Sequence, residues 1–239
     1  MTELPQQITL PHEHDGGENL EVMREARNYN RFLGNLVRRH ARNAEVALDF
    51  GAGIGTFSDS LDLPAGRVHC VEPDRNSRSA LAELGFHVHA DLSEIGDATI
   101  SYVFSLNALE HIEDDIGTLA ELHRVVEPGG RVFLYVPAFM LLFTSMDEHV
   151  GHHRRYRLGE LATRVEAAGF VIEKRCYTDV LGFFATLLFR LFDDGRPGQL
   201  NPRLIRFYDR FCFPLSRVMS LLFSRVLGKN AYVVARRPS

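Results

Sequence analysis

The stretch VALDFGAGIGTFS, residues 46–58, decides the fold class. It begins as a short apolar run and continues into Gly51, Gly53 and Gly55, each separated by one residue. A short apolar run bounded by glycines is typical of a buried strand that ends in a sharp turn. The missing side chains also allow a ligand to approach the N–H groups of the main chain. The segment therefore predicts a buried strand, a ligand-binding turn and a helix after the turn.

Three details of this turn narrow the class of ligand. The spacing is G-x-G-x-G, and Thr56 stands where a dinucleotide-binding turn has its third glycine. Asp49 lies two residues before Gly51, where a carboxylate suits an ammonium group and repels a pyrophosphate. Glu72 ends the next apolar run, where an acidic side chain accepts hydrogen bonds from ribose hydroxyls. The pattern indicates a ligand with a ribose, a cationic end and no phosphate.

Strand and helix patterns alternate on both sides of the turn. Strands are predicted at 45–50, 67–72, 86–90, 99–105, 131–137, 170–178 and 230–237. Helices are predicted at 19–40, 56–62, 74–85, 114–126 and 158–169, and over most of 180–228. This order favours right-handed crossovers and a mainly parallel sheet. We expect a mobile polar lead-in at 1–17 and a single α/β domain at 18–239, with a helical insertion at about 180–228.

Composition bounds the class of protein. The chain has 239 residues and is 45% hydrophobic, enough for a substantial core. Cys70, Cys176 and Cys212 are far apart, which argues against a disulfide framework and favours a reducing compartment. No apolar run reaches the roughly 18 residues that span a bilayer, and the first residues lack the pattern of a secretory signal. The expected location is cytoplasmic.

Charge is divided unevenly along the chain. Residues 1–150 carry 11 Lys and Arg against 24 Asp and Glu, a net charge of −13. Residues 151–239 carry 16 against 7, a net charge of +9. Two interpretations stay open: the C-terminal third faces an anionic partner, or the two halves attract each other.

The sequence resembles the class I S-adenosylmethionine (SAM)-dependent methyltransferases, and among them the type 11 and 12 small-molecule enzymes. Beyond the glycine turn, the resemblance rests on HADLSEI (89–95), VFSLNALEHIED (103–114) and EPGGRVFLYVP (127–137). It implies a Rossmann-like sheet of seven strands, mostly parallel, with an antiparallel last strand between strands five and six. It also implies SAM as cofactor and S-adenosylhomocysteine as product. The cofactor-binding residues implied are Asp49, Gly51, Ala52, Gly53, Gly55, Glu72, Pro73, Asp91, Leu92 and Asn107, with Tyr29 as a further contact.

Methyl transfer from a sulfonium is an in-line displacement, so the protein mainly aligns acceptor and donor. His111, directly after Glu110, is the leading candidate for a base that removes a hydroxyl or carboxyl proton. The alternative is that this pair only caps the next helix. His111 favours an oxygen acceptor, with nitrogen and carbon as alternatives.

The pair Glu110–His111 also resembles the end of an E-x-x-E-H motif. Ubiquinone-pathway and small-RNA methyltransferases bind a divalent cation through that motif. Here Asn107 replaces the first glutamate, and His149, His152 or His153 would have to supply the missing ligands. The sequence therefore predicts no metal site.

The stretch DEHVGHHRRYR, residues 147–157, follows the fifth strand, at the edge where cofactor and substrate meet in this fold. Arg154 and Arg155 either hold an anionic group of the substrate or pair with the acidic half of the chain. Related methyltransferases carry Ser or Thr where this chain has Arg157, so the usual cap of the next helix is missing. Candidates for contact with the acceptor, in catalysis or binding, are His149, His153, Tyr156 and Arg154.

The insertion is rich in phenylalanine and arginine. Eight of the 17 phenylalanines lie between Phe183 and Phe223, and Pro214 is expected to interrupt the helix there. Arginines at 203, 206, 210 and 217 form a basic stripe opposite apolar residues. Three interpretations stay open: a lid whose Phe183 and Phe184 contact a lipophilic substrate, a membrane-surface anchor through 180–227, or a core or dimer interface.

These patterns predict methyl transfer to an oxygen of a small hydrophobic, aromatic or lipid-like molecule with an acidic or hydroxyl group. A membrane-associated lipid or quinone precursor, or a non-catalytic nucleotide-binding role, are the alternatives. Nucleic acid is not expected, because no recognition module combines aromatic and basic residues and the net charge is −4. The chain is expected to be a monomer or a homodimer.

Overall fold

The computed structural model describes residues 25–41, 43–193, 195 and 201–239, so the lead-in predicted at 1–17 lies outside the described residues. Its centre is a seven-stranded sheet of order β3-β2-β1-β4-β5-β7-β6. Neighbours from β3 to β5 are parallel, and β7 is antiparallel to both β5 and β6. The predicted fold class is confirmed, including the insertion of the last strand. The strands are β1 Ala47–Phe50, β2 Val68–Val71, β3 His87–His89, β4 Ile100–Leu106, β5 Val126–Pro137, β6 Val171–Thr178 and β7 Asn230–Arg236.

Helices cover both faces of this sheet, because successive strand residues point to opposite faces. Leu48 packs into the cluster that contains Leu119 and Leu161, whereas its neighbour Ala47 packs into the cluster that contains Leu33. None of the helices in the described ranges is long and apolar enough to cross a bilayer. The helices are α1 Arg27–His40, α2 Arg75–Glu83, α3 Asp115–Val125, α4 Ser145–His149, α5 Leu158–Ala167, α6 Val180–Leu191, α7 Pro202–Phe207 and α8 Phe213–Phe223.

The helix predicted at 56–62 is wrong. Only one 3₁₀ turn, Ser58–Ser60, follows the glycine turn. The segment is rich in Ser and Asp, which compete with helical hydrogen bonds. The Ser58 hydroxyl donates to Asp49 at 2.7 Å, and this bond ties the segment back to β1.

The insertion lies between β6 and β7 and contacts α1. Asp209 accepts hydrogen bonds from the amides of Asn28 (2.9 Å) and Tyr29 (2.8 Å), and so satisfies the first N–H groups of α1 from far along the chain. The chain stays helical through Pro214, but the α-helical pattern predicted to be interrupted there is interrupted just before it. A π-helical turn, Tyr208–Cys212, leads directly into α8, which has Pro214 in its first turn.

Candidate active site

The loops after β1, β2, β3 and β4 meet at one edge of the sheet. In the register, Phe50 pairs with Val71 and Val71 pairs with His89, so these strands end level with one another. The chain order reverses between β1 and β4, which makes this edge a topological switch point. Open α/β sheets bind their ligands in the crevice at such a point. The predicted cofactor residues therefore lie on neighbouring loops.

The glycine turn has the backbone that the sequence predicts. Gly51, Gly53 and Gly55 have φ angles of 77°, 53° and 79°, in the left-handed region that favours glycine. A Cβ atom on Gly51 would lie 2.3 Å from the Cβ atom of Ala108, the residue that starts the loop after Asn107. The tight contact means that this position cannot carry a side chain without moving the loop after β4.

Glu72 is fixed beside this turn by main-chain hydrogen bonds. Its carboxylate accepts from the amide of Gly53 at 2.8 Å and from the amide of Asp74 at 2.9 Å. Burial raises the pKa of Glu72, and these two amides oppose that rise. Each carboxylate oxygen keeps a second lone pair, with which it can accept from a ribose diol.

Asp49 lies beneath the turn and is buried. Its hydrogen-bond donor is the Ser58 hydroxyl. Burial, together with the charge of Glu72, raises the pKa of Asp49 to about 7, although Ser58 lowers it. A cation bound beside this carboxyl group would favour its ionised form and lower its pKa.

The remaining predicted cofactor residues surround the same edge. Asp91 follows β3 at this edge. It also caps the 3₁₀ turn Leu92–Glu94, because its carboxylate accepts a hydrogen bond from the Ser93 amide at 2.8 Å. The side chain of Leu92 is buried in the core cluster. Ala52 is nearly buried and Pro73 is partly exposed.

Asn107 and Tyr29 close the edge on the other side. Asn107 is exposed, has a φ of 53°, and donates its amide to the Tyr135 carbonyl at 2.8 Å. The Tyr29 hydroxyl donates to the Tyr135 hydroxyl at 3.3 Å. Tyr29 belongs to α1, whose start is held by Asp209 of the insertion. The insertion therefore helps to hold Tyr29, the predicted cofactor contact, in its position.

The loop at 138–157 is organised by Asp147. This buried carboxylate accepts from Arg155 Nε and Nη2, both at 2.8 Å, and from the Thr144 amide at 2.9 Å. It also pairs with His152 Nδ1 at 2.7 Å. Burial alone would raise the pKa of Asp147, but His152 and Arg155 hold it well below its usual range. Arg155 therefore pairs with a carboxylate of the acidic half of the chain.

A second buried carboxylate, Asp115, holds Arg154 and Tyr156 in place. It pairs with Arg154 at 3.0 Å and with Arg164 at 2.6 Å, and it accepts from the Tyr156 hydroxyl at 2.8 Å. Tyr156 is fully buried in the core. The prediction that Tyr156 contacts the acceptor does not fit this position, and Arg154 is engaged by Asp115. Both arginines match the second interpretation of the charge division, attraction between the halves.

Arg157 precedes α5 and makes no side-chain cap, as its chemistry predicts. The hydroxyl of Tyr177 on β6 supplies the missing acceptor. It accepts from the Leu158 amide at 2.9 Å. A tertiary contact thus replaces the local cap.

The histidines of the segments 103–114 and 147–157 differ in burial. His149 and His153 are exposed, whereas His111 and His152 are partly buried with ring centroids 4.5 Å apart. Burial and the neighbouring His152 lower the pKa of His111 to about 4. The His111 imidazole is therefore neutral at pH 7 and able to accept a proton, but its basicity is reduced.

One group among the described residues could hold a metal ion: Glu110, His111 and His152, whose ligand atoms all lie within 4.8 Å of one another. The sequence did not predict this set, because the fold of the 138–157 loop is what brings His152 close to Glu110 and His111.

A pocket of about 390 Å³ lies between this loop and the insertion. Phe183 lines it and packs on Phe139 with a centroid distance of 5.5 Å. Phe184 is 50% exposed and touches Phe183. No residue of the glycine turn lines the pocket, so it lies apart from the turn. Its lining is Phe139, Met140, Leu141, Arg155, Arg157, Glu160, Phe183, Val226 and Leu227.

Comparison with known proteins agrees with this geometry. Residues 48–134 match the family model described as a methyltransferase domain. A Mycolicibacterium smegmatis protein, named as a probable SAM-dependent methyltransferase, is 30% identical over 145 residues. Over residues 48–134 the chain is therefore similar to methyltransferase domains. The matched segment holds the glycine turn, Glu72, Asp91, Asn107 and the pair Glu110–His111, whereas the loop at 138–157 and the insertion lie beyond it.

The match to the M. smegmatis methyltransferase covers 57% of this chain and spans about half, 54%, of that relative. Two solved structures are similar over most of their length. A SAM-dependent methyltransferase from Thermotoga maritima has a TM-score of 0.62 at 14% identity, over 93% of this chain and 96% of its own. A geranyl diphosphate C-methyltransferase from Streptomyces coelicolor has a TM-score of 0.61 at 14% identity, over 95% and 86%. At these identities the likeness is one of fold.

Proposed function

We propose that this protein transfers the methyl group of SAM to an oxygen atom of a small hydrophobic molecule. The main support for SAM as the ligand is the pair of buried carboxylates, Asp49 and Glu72, at the glycine turn. Asp49 provides negative charge for the ammonium end of SAM, and Glu72 accepts from its ribose hydroxyls. A nucleotide phosphate would meet repulsion from both carboxylates.

The other predicted cofactor residues fit around this core contact. Asp91 would accept from the adenine amino group, and Asn107 with Tyr29 would enclose the methionine portion. Alignment of donor and acceptor then supplies most of the rate, because the methyl group of a sulfonium is already activated. His111, in the turn after β4, would accept the acceptor's proton when no metal ion is bound to it. A cytoplasmic setting agrees with the three cysteines, which are all free.

SAM affinity is expected to depend on pH through Asp49. Below pH 7 the carboxyl holds a proton that SAM binding must displace, so affinity falls by up to about tenfold per pH unit, and above pH 7 it levels off. Calorimetric titration of SAM between pH 5.5 and 8.5 measures this slope. Asp49→Asn should bind weakly at every pH and remove the slope.

The same titrations test the function itself. SAM and its demethylated product should bind, and NAD should not. NAD binding with no SAM binding would contradict the proposed function, and an unchanged slope in Asp49→Asn would contradict the assignment of Asp49.

The proposed substrate is lipophilic, and the exposed surface of the insertion is suited to contact with lipid. Of the 19 large apolar side chains exposed in the described part of the chain, 14 lie between 184 and 226. Of the acids described at 180–227, Asp209 is buried against α1, and Asp193 accepts hydrogen bonds from Ser145. The basic residues Arg203, Arg206, Arg210 and Arg217 are exposed, and Arg206 pairs with Glu25 at 3.4 Å. Apolar and cationic groups together suit an anionic lipid surface.

Contact with such a surface is expected to require the arginines. The full chain should co-sediment with phosphatidylcholine vesicles that contain phosphatidylserine, and far less with phosphatidylcholine alone. The double variant Arg203→Glu/Arg210→Glu should weaken binding by more than about tenfold, since each basic residue contributes about 1 kcal/mol. The double variant Arg67→Glu/Arg75→Glu, at two exposed positions outside the insertion, is the matched control. A homodimer in light scattering with no vesicle binding would instead assign this surface to a second copy.

A further inference from the structure

The side chain of Glu110 has an unusual environment. It is fully buried, and neither of its carboxylate oxygens has a hydrogen-bond partner. A buried polar group without a partner is costly, and a buried carboxylate is usually paired or bound to a metal ion. His152 Nε2 lies 3.8 Å from its Oε1. That distance is too long for a hydrogen bond, but it suits two ligands of one ion.

The two histidines beside Glu110 are oriented by outer partners. His152 Nδ1 is hydrogen-bonded to Asp147, which leaves Nε2 directed toward Glu110. Asp147 is itself fixed by Arg155 through two contacts at 2.8 Å. Hydrogen bonds with the main chain at 150–151 orient the His111 ring. Carboxylates or carbonyls that hold the second nitrogen of an imidazole are typical of histidines that bind metal ions.

We propose that Glu110, His111 and His152 bind a divalent transition-metal ion. Two imidazole nitrogens and one carboxylate oxygen favour Zn²⁺, with Co²⁺ as a spectroscopic substitute. Mg²⁺ and Ca²⁺ are disfavoured, since they prefer oxygen ligands throughout. Three protein ligands leave one coordination position for water or for an oxygen of a bound molecule. His152 is only partly buried, so the site is reachable from the surface.

The test is a metal titration of the full chain. Protein stripped with EDTA is titrated with Co²⁺ while its visible absorption is followed. We expect one Co²⁺ per chain, displacement by Zn²⁺ but not by Mg²⁺, and a rise in the midpoint of thermal unfolding with Zn²⁺. Wild-type protein that binds less than about 0.1 equivalent, with no shift in the midpoint, overturns the site. That result would identify Glu110 as a buried neutral carboxyl group.

Variants locate the ion. Glu110→Gln and His152→Ala should each lower Co²⁺ affinity at least about tenfold, whereas His153→Ala, the exposed neighbour, should bind as the wild type does. A second group of histidine rings, 69, 87 and 89, lies on β2 and β3 with centroid distances of 5.0 and 5.1 Å. Loss of Co²⁺ in His87→Ala, with binding intact in Glu110→Gln and His152→Ala, overturns the proposal. No arm requires turnover, so failure here is separate from failure of the proposed function.

Discussion

Gly51→Val is expected to abolish measurable SAM binding. The φ of 77° at this position is strained for a β-branched residue, at a cost of order 1–3 kcal/mol. In addition, the new Cβ atom would meet the Cβ atom of Ala108 at 2.3 Å and push the loop after β4 away from the turn. Together these effects should weaken SAM at least about 100-fold, or roughly 2.7 kcal/mol. Calorimetry with SAM, alongside far-ultraviolet circular dichroism, separates lost binding from lost folding.

Gly66→Val is the matched control for that variant. Gly66 has no atom within 4 Å of an added Cβ and does not have a left-handed φ. It should retain wild-type affinity. A folded Gly51→Val that still binds SAM normally would show that the cofactor does not approach this turn.

Asp147→Ala is expected to destabilise the fold by about 3–5 kcal/mol, because it leaves the buried guanidinium of Arg155 without its carboxylate. Both hydrogen bonds from Arg155 to Asp147 are 2.8 Å long, and both side chains are buried. The capping box of α4, which joins Thr144 to Asp147, would be lost as well. Urea unfolding measures the change in the free energy of unfolding. EDTA is included so that metal binding does not contribute.

Asp97→Ala provides the comparison. Asp97 also pairs with an arginine, Arg124, at 2.6 Å, but its side chain is 78% exposed. A surface pair is screened by solvent, so the loss should stay below about 1 kcal/mol. Equal effects of the two variants would mean that burial does not govern the strength of these pairs.

Local patterns predicted the sheet and the conformation of the glycine turn well. Alternating apolar residues placed all seven strands, and glycine spacing placed the turn with its left-handed backbone. The helix expected after the turn failed, since Ser58 bonds to Asp49 and draws the chain into a single 3₁₀ turn. The sequence could not show which histidine of the 147–157 segment approaches Glu110. His149, His152 and His153 are equivalent in composition, and only the fold of the loop places His152 against Glu110.

The sequence by itself determined the succession of strands along the chain, the conformation of the glycine turn and the similarity to methyltransferases. These depend on residue type and spacing within a few positions, where strand periodicity and glycine conformation act directly. Only the tertiary structure decided which acid each arginine of 154–155 meets, that Tyr156 is a core residue, and that Glu110, His111 and His152 converge. Those pairings join residues far apart in sequence, such as Tyr156 and Asp115, 41 positions away, or Asn28 and Asp209, 181 positions away. The strength of each depends on burial, which exists only once the chain has folded.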